Sequence, residues 1–281
     1  MSDTAVRVRE LRKKYGDVTA VDGISLDIAR GEVFALLGPN GAGKTTTVEI
    51  MEGHRRRDGG EVSVLGEDPG RAGRAWRSKL GIVLQSATDA AEFTVRETVH
   101  HFASYFPRPR DPDSVIELVG LSGKADARIR ALSGGQRRRV DVALGVVGNP
   151  ELLFLDEPTT GFDPEARRQF WSLISLLSDE GTTIVLTTHY LDEAETLADR
   201  VGVIAQGRVV AIGEPATLAG RAEAEATVSW STPDGERRVK TMTPTRVVAD
   251  LIAQFDGEIP ELTVRRPTLE DTYLGLIGEQ P

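Results

Sequence analysis

The apolar positions of this chain fall into two periods. From Val6 to Tyr15 and from Val18 to Ile28, β-branched and apolar residues alternate with polar ones, the pattern of half-buried strands. Gly16-Asp17 between them reads as the turn of an antiparallel pair. Short unbroken apolar runs at Glu32-Val33-Phe34-Ala35-Leu36-Leu37, Leu80 to Leu84, Leu152 to Leu155 and Thr182 to Leu186 predict strands buried on both faces. Between them the period lengthens. Thr94 to Phe106 places Val95, Val99, Phe102 and Phe106 along one helical face, and Thr94 with Glu97 forms a capping box. The Pro107 to Pro112 stretch ends that helix. Further helices are expected over Ala72 to Lys79, Asp113 to Val119, from Ser133 to Val147, over Glu165 to Leu177 and over Asp192 to Arg200. A hairpin of Val201 to Ala205 and Val209 to Ile212 turns at Gln206-Gly207.

Strands alternating with helices predict an α/β core built on a parallel sheet. The middle region, about residues 88–150, reads as an inserted helical subdomain. Beyond Pro215 the character changes. Ala216 to Ala226 is rich in alanine and glutamate, which predicts a helix and linker. A hairpin, a helix over Thr245 to Phe255, a strand over Leu262 to Arg265 and a last helix capped by Thr268 and Asp271 then follow. The expected division is therefore a core domain over 1–215 and a linker with a small α+β appendage over 216–281. No internal repeat is visible, so one core domain is expected rather than two.

Composition narrows the class. A hydrophobic share of 40% and a charged share of 27% in 281 residues are those of a globular protein. The formal net charge of −9 argues against a nucleic-acid partner. The absence of cysteine rules out disulfides and thiolate metal sites. The N-terminus lacks the basic and apolar regions of a signal peptide, and no stretch has the length of a membrane span, so work at a membrane would require a partner.

The chemistry sits at the ends of the apolar runs. Gly38-Pro39-Asn40-Gly41-Ala42-Gly43-Lys44-Thr45 fits G-x-x-x-x-G-K-[ST] between a strand and a helix, a phosphate loop. Glycines let successive N–H groups point at an anion, and the helix N-terminus adds positive charge. Lys44 would reach the β- and γ-phosphates of a nucleoside triphosphate, and the Thr45 hydroxyl would ligate Mg²⁺. The run Leu152 to Leu155 ends in Asp156-Glu157-Pro158, with Asp156 placed to hold Mg²⁺ and Glu157 to polarise an attacking water. His189 follows another strand end and suits a γ-phosphate contact. Gln85 ends the Leu80 to Leu84 run and suits either a metal or water contact or a surface role. Tyr15 reads as an edge-strand tyrosine or a base-stacking ring. Ser133-Gly134-Gly135-Gln136 opens a helix with free N–H groups, a second anion site that one nucleotide does not need from the same subunit.

Leu132 to Gln136 before a helix, with Asp156-Glu157 some twenty residues on and the phosphate loop upstream, resembles the ATP-binding subunits of ABC transporters over residues 5 to 215. The resemblance implies a P-loop NTPase (ABC ATPase) core with an antiparallel β subdomain, ATP and Mg²⁺ as ligands, and nucleotide contacts running from Gly38 through Thr46. It implies a head-to-tail homodimer in which each ATP lies between one subunit's phosphate loop and the other's Ser133-Gly134-Gly135-Gln136 turn. By the same resemblance Tyr15 stacks on adenine, Gln85 senses Mg²⁺ and the membrane partner, His189 is the switch histidine, and Asp163 belongs to a loop crossing the dimer interface. The family commonly has leucine where Phe162 stands, a departure that bears on packing there. The motifs Pro158 to Pro164 and Arg266 to Asp271 look most like the daunorubicin-resistance type of drug exporter. That implies a peripheral ATPase on the cytoplasmic face of the membrane, serving a separate membrane-spanning permease. The alternative is a soluble ABC-type ATPase acting on ribosomes or DNA. Fused nucleotide domains, sustained heptads or a basic surface would mark it, and none is present.

Overall fold

The computed structural model describes residues 3–83, 92–255 and 257–278. Gln85 lies outside the described residues. In chain order the elements are β1 (Thr4–Tyr15), β2 (Val18–Ala29), β3 (Val33–Leu37), α1 (Lys44–Met51), β4 (Gly59–Val64), α2 (Arg74–Arg77) and β5 (Leu80–Val83). They continue with α3 (Val95–Ala103), α4 (Pro112–Leu118), α5 (Gly134–Val147), β6 (Leu152–Asp156), α6 (Pro164–Asp179), β7 (Thr183–Thr187), α7 (Leu191–Leu197), β8 (Arg200–Ala205) and β9 (Arg208–Gly213). The last are β10 (Ala226–Thr232), β11 (Gly235–Thr241), α8 (Pro244–Gln254), β12 (Thr263–Arg265) and α9 (Leu269–Gly278). The chain divides into two compact units, one up to Val210 and one from Ala211.

Among the described residues the first unit holds two sheets. β1 pairs antiparallel with β2 on one side and β4 on the other, as the alternating pattern predicts. The larger sheet has the order β5-β6-β7-β3-β8-β9. The pairs β5–β6, β6–β7, β7–β3 and β3–β8 are parallel. All five residues of β3, and Leu152 to Leu155 of β6, are buried. Burying each large apolar side chain contributes about 1.5–3 kcal/mol, which is why these runs carry no polar residue until their last position. The register pairs Leu36 with Thr187 and Asp156 with Thr187. The carboxyl ends of β3, β6 and β7 therefore finish side by side, where ligands bind in open parallel sheets.

The helices α3, α4 and α5 lie between β5 and β6 in sequence. The capping box at Thr94 and Glu97 is present, and so is one at Ser133 and Gln136. The helix α3 stops at Ala103, short of the expected Phe106, because Ser104 to Phe106 turn back on α3 carbonyls before Pro107. The helix α7 also ends early. Asp199 leaves it to bind β3, its backbone N–H donating to Val33 O at 2.9 Å and its carboxylate accepting from Val33 N at 2.8 Å. Arg200 thus opens a strand instead of closing a helix.

In the second unit β11, β10 and β12 form an antiparallel sheet. Its core is Val228, Leu251 and Ile259, with Trp230, Val247, Val248, Phe255 and Leu262 packed around them. Thr268 and Asp271 cap α9 reciprocally. The stretch expected as a helix over Ala216 to Ala226 is instead a 3₁₀ segment, Leu218–Glu223, broken by left-handed backbone at Ala219 (φ 50°) and Gly220 (φ 78°). Alanine-rich composition favours an α-helix only weakly over so short a span, and glycine removes that margin.

Candidate functional site

The loop from Gly38 to Gly43 leaves the buried end of β3 and enters α1. A Cβ on Gly38 would stand 2.2 Å from the Ile204 carbonyl oxygen, and one on Gly43 (φ 102°) 2.3 Å from that of Ala20. Only glycine permits this approach, and it clamps the loop between β8 and β2. Pro39, Asn40 and Gly41 form its exposed crest. Gly43 is the N-cap of α1 and has no side chain to satisfy the first-turn N–H groups, which leaves them for an anion. Thr45 and Thr46 lie on that first turn, Thr45 exposed. Lys44 is buried, and its Nζ donates to Gly38 O at 2.6 Å and Pro39 O at 3.1 Å. Burial lowers its pKa, while the nearby Glu157 and Asp156 charges oppose the shift.

Those carboxylates end β6. Asp156 accepts a 2.5 Å hydrogen bond from the Thr187 hydroxyl of the neighbouring strand. Glu157 sits in left-handed backbone (φ 44°), a strained geometry for a residue with a Cβ. Its N–H donates to Thr187 O at 3.1 Å and lies 3.2 Å from the Thr187 hydroxyl. Pro158 then stops the strand. The Glu157 carboxylate lies 3.4 Å from both the Thr160 hydroxyl and His189 Nδ1. The His189 ring is exposed on one side and stacks at 4.1 Å on Tyr190. Three adjacent strand ends thus bring a lysine, two carboxylates and a histidine to one edge. Such an edge can hold a polyphosphate and polarise a water beside it.

Ser133 caps α5, its hydroxyl accepting from Gln136 N at 3.2 Å while Gln136 Oε1 accepts from Ser133 N at 3.1 Å. Ser133 and Gly134 are exposed. Asp163 is exposed and caps α6, accepting from Ala166 N at 2.8 Å. Phe162 is buried edge-on against Phe170, with ring centroids 6.0 Å apart. Tyr15 is 40% exposed at the end of β1, with Lys13 and Arg55 within 5.5 Å of its ring. Its pairing partner on β2 is Val18, two residues before Ala20, whose carbonyl a Cβ on Gly43 would meet.

The sequence did not single out Thr187, which links both carboxylates to β7. It shows Arg137-Arg138-Arg139 as a basic cluster, for which solvated surface is only the bland reading, without assigning Arg138 a role, and Arg138 is buried. It donates to Asp156 O at 2.8 Å and Pro158 O at 3.1 Å, tying the helix that begins at Ser133 to the carboxylate edge. Burial lowers its pKa against the opposing charges of Asp141, Asp156 and Glu193. Burial one turn into α5 is the signal that the cluster's charge hid. Arg138→Ala is expected to lower stability by about 2–4 kcal/mol, because buried carbonyl acceptors lose a charged donor. Denaturant melts of the two proteins measure it.

Glu52, at the end of α1, was likewise not singled out. It is buried with His54 Nδ1 at 3.2 Å. Burial, with the Asp156 and Glu49 charges adding, pushes its carboxyl up to about 7.

Comparison with known proteins gives a consistent picture. Residues 21–160 match the family model described as ABC transporter. The chain is 37% identical to the daunorubicin resistance ATP-binding protein DrrA3 of Streptomyces coeruleorubidus, over 99% of this chain and 98% of that protein. It is 45% identical to the Nod factor export ATP-binding protein I of Ralstonia nicotianae, over 77% of this chain and 69% of that one. Among solved structures, cbiO1 from Clostridium perfringens, described as part of the ABC transporter complex cbiONQ, superposes with a TM-score of 0.68. It shares 32% identity and covers 76% of this chain and 90% of its own.

Proposed function

The chain belongs to the ABC transporter family as an ATP-binding, ATPase subunit, and from that premise we propose that it powers export of a drug-like or other hydrophobic compound through a separate membrane-spanning subunit. The observation that carries this reading is the convergence of Lys44, Asp156, Glu157 and His189 at the adjoining ends of β3, β6 and β7. A drug-like cargo follows from likeness over the whole chain to a daunorubicin-resistance protein, whereas the Nod factor relative shares a smaller part of it.

In this reading Lys44 and the N–H groups of Gly41 to Thr46 hold the phosphates, and the exposed Tyr15 ring stacks on the base. The Thr45 hydroxyl and Asp156 carboxylate are hard oxygen donors that fit Mg²⁺, which takes few protein ligands beside substrate phosphates. Among the described residues no group of three or more His, Asp or Glu offers a closed metal cage, and such a site does not need one. When bound, Mg²⁺ supplies neutralisation of the β- and γ-oxygens. Glu157 orients and polarises the attacking water for in-line displacement, and His189, against its carboxylate, contacts the γ-phosphate. Gln85 keeps the role of metal- and partner-sensing glutamine as a proposal from sequence.

The Ser133 turn serves a second copy of the chain. Its capping box is satisfied internally, and Ser133 and Gly134 face solvent, so the turn is free to cover a nucleotide held by a partner subunit's loop in a head-to-tail homodimer. Asp163, exposed at the start of α6, lies at that interface. Among the described residues no helix is long and apolar enough to cross a membrane. Phe93 and Tyr105 are 60% and 59% exposed on the helical region and suit docking of a membrane subunit. The net charge of −9 disfavours a nucleic-acid partner. In this reading the protein sits peripherally on the cytoplasmic face of the membrane, and the expected boundary between core (1–215) and appendage (216–281) lies a few residues beyond the division of the two units at Val210.

Pull-down of the tagged chain from gently solubilised membranes is expected to bring down a multi-span membrane protein together with ATPase activity. Elution with ribosomes or DNA instead would turn the reading to the soluble alternative.

A further inference from the structure

A buried polar cluster adjoins the carboxyl ends of β6 and β7, outside the groups assigned above. Glu193 of α7 is fully buried, as are Thr159 and Thr188. Its carboxyl group faces the hydroxyls of Thr188 and Thr159 and the indole N–H of Trp171 on α6, with the Arg167 guanidinium as the nearby positive charge. None of these donors closes a hydrogen bond of normal geometry. Both Glu193 oxygens, the Thr159 hydroxyl, Trp171 Nε1 and Arg167 Nε are buried without a partner. Buried polar atoms are nearly always paired, so a carboxyl group whose facing donors all stop short is a feature that packing alone does not explain.

The connections of the cluster give it meaning. Thr188 directly precedes His189, and Thr159 lies between Glu157 and Asp163. Arg167 binds Asp192 at 3.2 Å and lies 4.4 Å from the centre of the Tyr190 ring, two contacts with the residues that directly follow His189. Arg138, which ties α5 to β6, also feels the Glu193 charge. Donors from both segments thus face one carboxyl group.

We propose that Glu193 is a positioning residue for ATP hydrolysis: its carboxyl group joins the Thr159 turn, which carries Glu157 and Asp163, to the Thr188 strand end, which carries His189, so that the two segments reach their working register together. The inference rests on the ATPase reading above. Glutamine at this position keeps the volume but turns one acceptor into a donor among donors, so the joint cannot close fully.

The test uses the full chain co-purified with its membrane partner. Glu193→Gln is expected to lower kcat by about tenfold or more, with KM for ATP within about twofold and the melting temperature nearly unchanged. In a His189→Ala background the same substitution is expected to add little, because the two residues act through one segment. Unchanged kcat, a full additive loss beside His189→Ala, or a rise in KM with a lower melting temperature would each overturn the inference. If Glu193→Gln does not fold, the near-isosteric Thr159→Val takes its place. It is expected to lose a few-fold in kcat alone, and normal turnover there overturns the inference too. Normal turnover of Glu157→Gln, by contrast, would defeat the ATPase reading itself, and this inference with it.

Discussion

Glu157→Gln is expected to bind ATP as tightly as the unsubstituted chain and to hydrolyse it about a hundredfold more slowly or worse. The substitution keeps the volume and leaves the backbone contacts of residue 157 with Thr187 in place. What disappears is the acceptor proposed to polarise the attacking water and the negative charge 3.4 Å from His189. Binding is expected to survive because the proposed phosphate contacts come from Lys44 and the loop N–H groups, not from Glu157. Single-turnover hydrolysis measured beside equilibrium ATP titration separates the two effects. Near-normal turnover would remove Glu157 from the reaction, whereas a loss confined to affinity would make it a binding residue.

Lys44→Ala is expected to fail one step earlier, with ATP affinity falling on the order of ten- to a hundredfold. The lysine is buried against loop carbonyls and faces Asp156 and Glu157. Removing it strands the Gly38 and Pro39 oxygens and leaves two carboxylates less well compensated where a polyanion must settle. Lys44→Arg is not a conservative rescue, since a forked guanidinium does not fit the volume of a buried ammonium. Calorimetric titration with ATP decides the matter, and unchanged affinity would separate the loop from nucleotide binding.

The local parts of the site were legible because each is written in a few consecutive residues. A strand, a glycine loop and a helix need only neighbouring dihedrals and N–H groups. The capping boxes at Thr94 and Glu97, Ser133 and Gln136, and Thr268 and Asp271 close between residues three apart. Strand ends with acidic or histidine residues announce themselves by where apolar runs stop. Arg138, Thr187 and Glu193 gave no such sign. The groups they face lie far along the chain, Arg138 bonded to Asp156 and Pro158, Thr187 bonded to Asp156, and Glu193 facing Thr159 and Trp171. A buried arginine within a basic run, or a buried glutamate on a short helix, looks like surface charge until the neighbours are known.

By itself, then, the sequence determined the phosphate loop, the carboxylate pair, the helix that begins at Ser133 and the change of character near residue 215. Short-range hydrogen bonding and hydrophobic period suffice for these. Tertiary structure alone decided which strand ends adjoin, through the order β5-β6-β7-β3-β8-β9. It also decided where α7 gives way to β8, since Asp199 bonds to Val33 across the sheet rather than to its own helix. Long-range pairing chooses among partners that local pattern leaves equal, and burial sets the ionisation of Lys44, Glu52 and Glu193 only once those partners are in place.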